Sequence, residues 1–207
     1  MKKIITKIIA LTLLGVLLTG SLSSCKKKAN YVKLTIKDIG EVVIQLDRDN
    51  APKTVENFVK LVDEGFYDGL TFHRVISGFM VQGGCPEGTG RGNSGSYIEG
   101  EFFSNGHPNA IAHVRSTVSM ARGYSANSAS CQFFICVADA PHLDGDYAGF
   151  GYVIEGMDVV DEIVRRTAHL ATDGNGGVPK SQQIVIEKAE SLVIYSNLKK
   201  TIDQIKK

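Results

Sequence analysis

The chain has 207 residues, an apolar share of 43% and a formal net charge of +1. This length suits one folded domain with short extensions and is enough to bury a sizeable core. The charge lacks the basic excess of nucleic-acid-binding proteins, so we expect no nucleic-acid partner.

The N-terminal 24 residues have the pattern of a secretory signal peptide. Lys2, Lys3 and Lys7 precede a mostly apolar run over residues 8–18, and small residues follow. The run is too short to cross a hydrocarbon core about 30 Å thick, which requires roughly 20 residues. The alternative, a buried helix of the domain, needs a polar face that this run lacks. We therefore expect residues 1–24 to be removed on export.

The end of this segment resembles a bacterial lipobox, in which a diacylglycerol is attached to a cysteine and cleavage occurs just before it. Here Leu22, Ser23 and Ser24 precede Cys25. A chance cysteine after an ordinary cleavage site is the alternative. Acyl chains contribute about 0.8 kcal/mol of membrane affinity per buried CH₂. The resemblance implies lipidation of Cys25, a short basic linker over residues 25–30, and a protein anchored to the bacterial cell envelope, on its periplasmic or outer surface.

In the next segments the apolar residues recur with two different periods, one typical of strands and one typical of helices. Residues 31–37 and 42–46 alternate apolar and polar positions on either side of a turn signal, which predicts a β-hairpin with one buried face. Between Pro52 and Gly65 the apolar residues take helical spacing, which predicts a helix. A second amphipathic helix is predicted over residues 157–166, with basic residues at its C-terminal end.

The remaining strand-like runs complete a mainly β domain over residues 31–195. Further strands are predicted at residues 71–76, 79–82, 116–121, 132–138, 149–153, 183–187 and 191–195. Because the elements show no βαβ rhythm, they predict a closed or nearly closed antiparallel barrel whose ends are covered by helices. Residues 196–207 are polar and rich in lysine, and we interpret them as a solvated C-terminal tail rather than as a partner-binding or membrane-surface helix.

Three cysteines remain in the predicted mature domain. Cys131 and Cys136 are five positions apart in a strand-like run, so they face opposite sides at roughly 16 Å separation and cannot bridge. Cys85 is free to pair with either or with neither.

Most familiar catalytic patterns are missing. Residues 90–95 match G-x-G-x-x-G, but no apolar strand leads into the match and no helix follows, so we interpret it as a surface loop. The five histidines show no ligand spacing, and no metal site is expected.

Four other segments contain the candidate functional residues. Residues 72–84 read FHRVISGFMVQGG, residues 119–122 SMAR, residues 132–136 QFFIC and residues 142–145 HLDG. Together they resemble the signature blocks of cyclophilins, in order and at matching intervals. The resemblance covers nearly all of the predicted mature chain and implies an eight-stranded antiparallel β-barrel capped by two α-helices, with peptidyl-prolyl cis/trans isomerase activity.

The resemblance also implies the site residues. Catalytic positions fall on Arg74 and Gln82. Substrate-binding positions fall on Phe79, Met80, Ala121, Gln132, Phe134, His142, Leu143 and Tyr147. Of the catalytic pair, Arg74 would donate a hydrogen bond to the prolyl nitrogen of a twisted amide, and Gln82 would hold Arg74 or a substrate carbonyl. The apolar residues would wall a pocket for the pyrrolidine ring, and Ala121 and Gln132 would border a groove for the preceding residue.

The chain departs from the family pattern at four positions. His142 stands where well-known cyclophilins have tryptophan, Tyr147 where they have histidine, Arg122 where asparagine is common, and Cys131 where serine is common. Because a smaller, polar ring borders the pocket at His142, we expect isomerase activity to be kept and cyclosporin binding to be weak.

The resulting hypothesis is an enzyme that accelerates X-Pro rotation in unfolded or partly folded envelope proteins. It needs no cofactor, and nothing demands more than a monomer. The alternative is a non-catalytic chaperone or scaffold module that holds proline-containing segments. Arg74 favours the enzyme, since holding alone does not require a donor at the prolyl nitrogen.

Overall fold

The structure is a computed structural model that describes residues 29–171 and 174–193. The predicted signal peptide, Cys25 with the basic residues that follow it, and the predicted tail at residues 196–207 lie outside the described residues. The strands are β1 (Tyr31–Ile36), β2 (Gly40–Leu46), β3 (Thr71–Ile76), β4 (Met80–Cys85), β5 (Thr117–Met120), β6 (Phe133–Cys136), β7 (Gly149–Glu155) and β8 (Ile184–Leu192). The helices are α1 (Pro52–Asp63) and α2 (Met157–Thr167).

The strands form one closed barrel. Their order around it is β1-β2-β7-β5-β6-β4-β3-β8, and β8 pairs with β1 to complete the ring. Every pairing between neighbours is antiparallel. The predicted fold class, a mainly β eight-stranded antiparallel barrel with two helices, is therefore confirmed.

An aromatic cluster connects α1 to the barrel interior. The ring of Phe58 lies 5.2 Å from that of Tyr67, 5.4 Å from that of Phe133 and 5.0 Å from that of Phe150, between ring centroids. All four side chains are fully buried. Tilted and edge-on contacts at these distances stabilise aromatic pairs beyond simple area burial. The helical spacing of apolar residues in α1 therefore serves to close the barrel core.

The first turn of α1 is capped by a residue distant in sequence. Ala51 offers no capping side chain. Instead, the buried carboxylate of Glu101 accepts hydrogen bonds from the backbone N–H groups of Lys53 (3.0 Å) and Thr54 (2.8 Å) and from the Thr54 hydroxyl (2.8 Å). Unpaired N–H groups at a helix start favour a negative charge. Tertiary structure thus supplies the cap that the local sequence lacks.

The strand predictions differ most from the structure at β4 and β8. Strand β4 continues to Cys85, three residues beyond its predicted end, and runs through Gly83 and Gly84. A Cβ on Gly83 would lie 3.0 Å from the Phe72 ring, so the glycine allows β3 and β4 to approach closely. The separate strands predicted at residues 183–187 and 191–195 belong to one strand, β8, which ends at Leu192, and residues 194–195 lie outside the described residues.

The charged residues in the middle of β8 explain that second error. The run from Lys188 to Glu190 interrupts the apolar alternation in the sequence. In the barrel, Glu190 lies opposite Lys33 of β1, and its carboxylate is 3.2 Å from the Lys33 ammonium group. Lys188 pairs with Asp68 at 2.9 Å. One cross-strand partner and one loop carboxylate therefore stabilise a segment that looks like a break in the sequence.

The three cysteines of the domain are free thiols, and all are buried. Cys131 precedes β6, so the prediction of one strand through both Cys131 and Cys136 was wrong in its extent. Burial raises the pKa of Cys131 to about 11 and that of Cys136 to about 12. Both thiols are therefore protonated at neutral pH and are poor nucleophiles.

Candidate active site

Strand pairing places the two predicted catalytic residues side by side. Arg74 on β3 is the cross-strand partner of Gln82 on β4. One guanidinium nitrogen of Arg74, Nη1, donates to Oε1 of Gln82 at 3.1 Å, and Nε donates to the carbonyl of Asn175 at 2.7 Å. The guanidinium group is therefore held from two directions by uncharged acceptors.

A second amide extends this arrangement into a neighbouring loop. Nε2 of Gln82 donates to Oε1 of Gln132 at 3.0 Å. Nε2 of Gln132 in turn donates to the carbonyls of Gly90 (2.9 Å) and Gly92 (2.8 Å). Because each amide uses its acceptor and its donor in this chain of bonds, the orientation of Arg74 is coupled to the loop that follows β4.

A cavity of about 110 Å³ lies beside Arg74. Its lining residues are Arg74, Phe79, Met80, Gln82, Ala121, Arg122, Phe134, Leu143 and Tyr147. Met80, Phe134 and Leu143 are buried, and the rings of Phe134 and Tyr147 meet edge to face with centroids 6.0 Å apart. The cavity therefore combines apolar walls with two cationic side chains, Arg74 and Arg122. Because the sequence segments predict that these residues hold a pyrrolidine ring, we call it the proline cavity.

Two of the predicted substrate-binding residues lie outside this cavity. Gln132 lines an adjoining cavity of about 270 Å³ instead. His142 is exposed, and its ring packs against that of Phe79 with centroids 5.3 Å apart. The structure thus brings together eight of the predicted site residues around one cavity, with Gln132 next to them and His142 on the rim.

A polar cluster behind the cavity, with His113 and Ser119 buried and Asp144 exposed, was not predicted. The ring of His113 stacks on Phe134 with centroids 6.0 Å apart. Its Nδ1 lies 2.9 Å from a carboxylate oxygen of Asp144, and its Nε2 lies 2.9 Å from the hydroxyl of Ser119. Burial lowers the pKa of His113, and the Asp144 carboxylate opposes this change. His113 and Ser119 are 6 positions apart and Asp144 is 31 positions from His113, and no sequence pattern indicates that the three side chains meet.

Arg122 was noted in the sequence only as a departure, and the structure places it in the wall of both cavities. Its guanidinium carbon lies 5.0 Å from the centroid of the Phe102 ring and 4.7 Å from that of Tyr147. Such contacts between a cation and aromatic faces are attractive. The Arg-Gly pair at residues 122–123 carries no pattern from which this packing could be inferred.

His73, next to Arg74, is buried and uncharged. Neither of its ring nitrogens has a partner at hydrogen-bond geometry among the described residues. Burial lowers the pKa of His73 to about 4, and the positive charge of Arg74 adds to this, while the Thr71 backbone and the Gln132 side chain oppose it. At neutral pH, Arg74 is therefore not accompanied by a second positive charge from this ring.

A family model described as cyclophilin type peptidyl-prolyl cis-trans isomerase matches residues 31–191. The chain belongs to the cyclophilin family. It is accordingly a peptidyl-prolyl cis-trans isomerase, and the closed barrel described above is the cyclophilin fold. This confirms the family and the activity that the four sequence segments imply.

Named relatives agree with this assignment. A peptidyl-prolyl cis-trans isomerase of Helicobacter pylori is 47% identical over 126 residues, which are 60% of this chain and 74% of the relative. One from Synechococcus elongatus is 52% identical over 112 residues, 54% of this chain and 72% of the relative. The human peptidyl-prolyl cis-trans isomerase-like 3 is 44% identical over 127 residues, 61% of this chain and 77% of the relative.

Solved cyclophilins have the same fold. A cyclophilin type isomerase of Cryptosporidium parvum, crystallised in the presence of the dipeptide Ala-Pro, matches with a TM-score of 0.68 and 28% identity. The match covers 79% of this chain and 99% of that one. Within the part of the chain that the structure describes, no helix is both long and apolar enough to cross a membrane, and no three His, Cys, Asp or Glu side chains are grouped as metal ligands.

Proposed function

We propose that Arg74 accelerates the isomerisation by stabilising the twisted X-Pro amide, and that the substrates are proline-containing segments of unfolded or partly folded envelope proteins. The observation that supports the role of Arg74 is its fixed guanidinium group at the wall of the proline cavity, tied to Gln82 and to the Asn175 carbonyl. The Ala-Pro dipeptide used with the Cryptosporidium relative supports proline-containing ligands.

The reaction needs stabilisation of one geometry and no covalent step. Rotation about an amide bond has a barrier of about 18–20 kcal/mol because resonance must be broken. In the twisted amide the prolyl nitrogen regains its lone pair, which accepts a hydrogen bond that the planar forms cannot accept. A guanidinium donor aimed at that nitrogen therefore binds the transition state more tightly than either ground state. The pyrrolidine ring, held by Phe134, Met80 and Leu143, anchors one side of the rotating bond.

This role is tested by exchange NMR on a short X-Pro peptide. Arg74→Ala is expected to lower kcat/KM about 100-fold or more, because loss of one preorganised donor typically costs about 10²–10³. Arg74→Lys keeps the charge but not the planar fork, and is expected to recover only part of the rate. Arg165→Ala, which removes an exposed arginine of α2, serves as the matched control. Full activity of Arg74→Ala would disprove the mechanism.

The same variants test the role in folding. The purified protein is expected to accelerate refolding of a test protein whose folding is limited by a proline bond, a step that takes tens of seconds or longer without catalysis. Arg74→Ala should abolish this effect. Equal acceleration by the wild type and Arg74→Ala would instead favour the non-catalytic holding module.

The location rests on residues 1–25 of the sequence. We propose export and lipidation at Cys25, which mass spectrometry of the mature N-terminus and membrane fractionation can test. Cys25→Ser is expected to remove the acyl mass and to release the protein from the membrane fraction. An unmodified Cys25 in membrane-free wild-type protein would refute the anchor.

Weak cyclosporin binding is also part of the proposal. His142 is exposed at the rim and contacts Phe79, so a small polar ring borders the cavity. We expect His142→Trp to lower the inhibition constant of cyclosporin, because the larger indole ring adds apolar contact area. Nanomolar inhibition of the wild-type protein would contradict this prediction.

A further inference from the structure

The cavity next to the proline cavity has a chemistry of its own. Its volume is about 270 Å³, and it shares the residues Gln82, Ala121 and Arg122 with the proline cavity. The rest of its lining consists of Gly90, Arg91, Gly92, Asn93, Tyr97, Gly123, Ser128, Ser130 and Gln132. We call it the second cavity.

The two cavities share a wall, so one extended peptide can place alternate side chains in them. Successive side chains of an extended chain point to opposite sides, so the residue two positions before the proline points to the same side as the proline ring. Its Cα lies roughly 7 Å from that of the proline. A chain that extends from the proline cavity across the shared wall can therefore place this side chain in the second cavity.

The charged groups lining the second cavity are both positive. Arg91 and Arg122 line it, and no carboxylate does. Two carboxylates are nearby, and each accepts a hydrogen bond from a hydroxyl group: Glu87 from Thr89 at 3.2 Å and Asp146 from Ser104 at 2.6 Å. Among the described residues, neither carboxylate forms an ion pair with either arginine.

The guanidinium group of Arg122 is fixed without being neutralised. Its Nε donates to the Asp146 carbonyl at 3.0 Å, and its Nη1 donates to the carbonyls of Gly123 (3.1 Å) and Tyr124 (3.3 Å). Within the described part of the chain, no hydrogen-bond acceptor is found at its Nη2. Because rings and carbonyls already hold the side chain, a ligand that pairs with it has little side-chain entropy to remove.

We propose that the second cavity selects substrates with an acidic side chain two residues before the proline. This inference rests on the proposed function, since it takes the proline ring to occupy the proline cavity. A carboxylate there would pair with Arg122 and with Arg91, whereas a lysine would meet two like charges. The preferred substrate class is therefore an acidic, proline-containing segment of an unfolded protein.

The test compares three peptides that differ only at that position, carrying Glu, Gln or Lys. At low ionic strength we expect kcat/KM for the Glu peptide to be about fivefold above that of the Gln peptide, the size expected for partly exposed ion pairs. The Lys peptide should be the poorest substrate. Because partly exposed charges are screened, the ratio of Glu to Gln should approach one at about 1 M salt, where the screening length is about 3 Å.

Variants locate the effect. Arg91→Gln changes an exposed loop residue and should reduce the ratio of Glu to Gln, and Arg122→Gln should reduce it further, while Arg122→Lys should keep part of it. Arg165→Gln is the matched control and should leave the ratio unchanged. A Glu placed two residues after the proline should give no advantage, which separates the local site from overall charge attraction.

The outcomes distinguish this inference from the proposed function. Equal kcat/KM for the Glu and Gln peptides, with both accelerated, would overturn the acidic preference and leave the isomerase mechanism intact. If no peptide is accelerated, the proposed mechanism fails, and dissociation constants of the same peptides from NMR titration still decide the preference. An unchanged ratio in both Arg91→Gln and Arg122→Gln would likewise overturn it.

Discussion

Replacement of His73 should change how the stability of the protein depends on pH. The ring is 5% exposed, its nitrogens lack partners at hydrogen-bond geometry among the described residues, and burial lowers its pKa to about 4. In the unfolded chain the pKa of a histidine is about 6.5. Because the unfolded state binds the proton more tightly, stability from this group is fully present above pH 6.5 and is lost as the pH falls towards 4.

These two pKa values set the expected magnitude. Between pH 7 and pH 5, the linkage relation gives a loss of about 2 kcal/mol in the free energy of unfolding from His73 alone. Lowered carboxylate pKa values, such as that of Asp68 beside Lys188, act mainly below pH 5 and so fall outside this window. His113, whose pKa is also lowered, contributes in the same direction as His73.

The assay is urea unfolding of the purified protein at pH 7 and at pH 5. In His73→Gln, which cannot titrate, the difference in unfolding free energy between the two pH values should shrink by about 2 kcal/mol relative to wild type. His169→Gln, a change at an exposed histidine, should keep the wild-type difference. The comparison uses the pH difference within each protein, so a general loss of stability does not affect it. An identical pH dependence in His73→Gln and wild type would refute the reasoning.

Three further measurements test the fold and the site. Glu101→Gln should lower the free energy of unfolding by about 1–3 kcal/mol, because the charge-assisted hydrogen bonds to the start of α1 are weakened. Glu56→Gln, on the exposed face of the same helix, should change the free energy of unfolding little. Equal effects of the two substitutions would contradict the capping role of Glu101. Gln82→Leu should lower kcat more than it raises KM, since Arg74 loses a hydrogen-bond acceptor. Gln82→Glu, which keeps an acceptor there, should recover part of the rate. An unchanged kcat in Gln82→Leu would argue against a role of Gln82 in positioning Arg74. Iodoacetamide at pH 8 should modify Cys136 only after the protein unfolds, because burial raises the pKa of this thiol to about 12. Mass spectrometry measures the modification, and rapid modification of the native protein would contradict this prediction.

The alternation of residue types predicted most of the barrel correctly. Residues 31–46 form a hairpin because apolar side chains recur every second position, and this period needs only one buried face to become a strand. The errors occur where long-range contacts override local pattern. Glycines in β4 look like a loop until Phe72 packs against them, and the charged middle of β8 looks like a break until Lys33 lies opposite Glu190.

The site, like the barrel, has a part that the sequence predicts and a part that depends on long-range contacts. The sequence segments contain seven of the eight predicted residues that line the proline cavity. Arg74 and Gln82 lie on two neighbouring strands joined by a short turn, whereas the apolar wall also takes Phe134 from β6 and Leu143 from the segment after it. The sequence gives no local pattern that predicts the hydrogen bonds from Gln132 to the carbonyls of Gly90 and Gly92, since these bonds join segments about forty residues apart.

The sequence by itself therefore determined the family, the strand periods and eight of the nine residues that line the proline cavity. Only the tertiary structure decided how Arg74 is held, that Arg122 stacks between two rings and faces both cavities, and that the start of α1 is capped by Glu101. The physical reason is that periodicity and propensity are local properties, whereas a closed barrel brings together groups that are distant in the chain. Their hydrogen bonds and charges exist only once the ring of strands is complete.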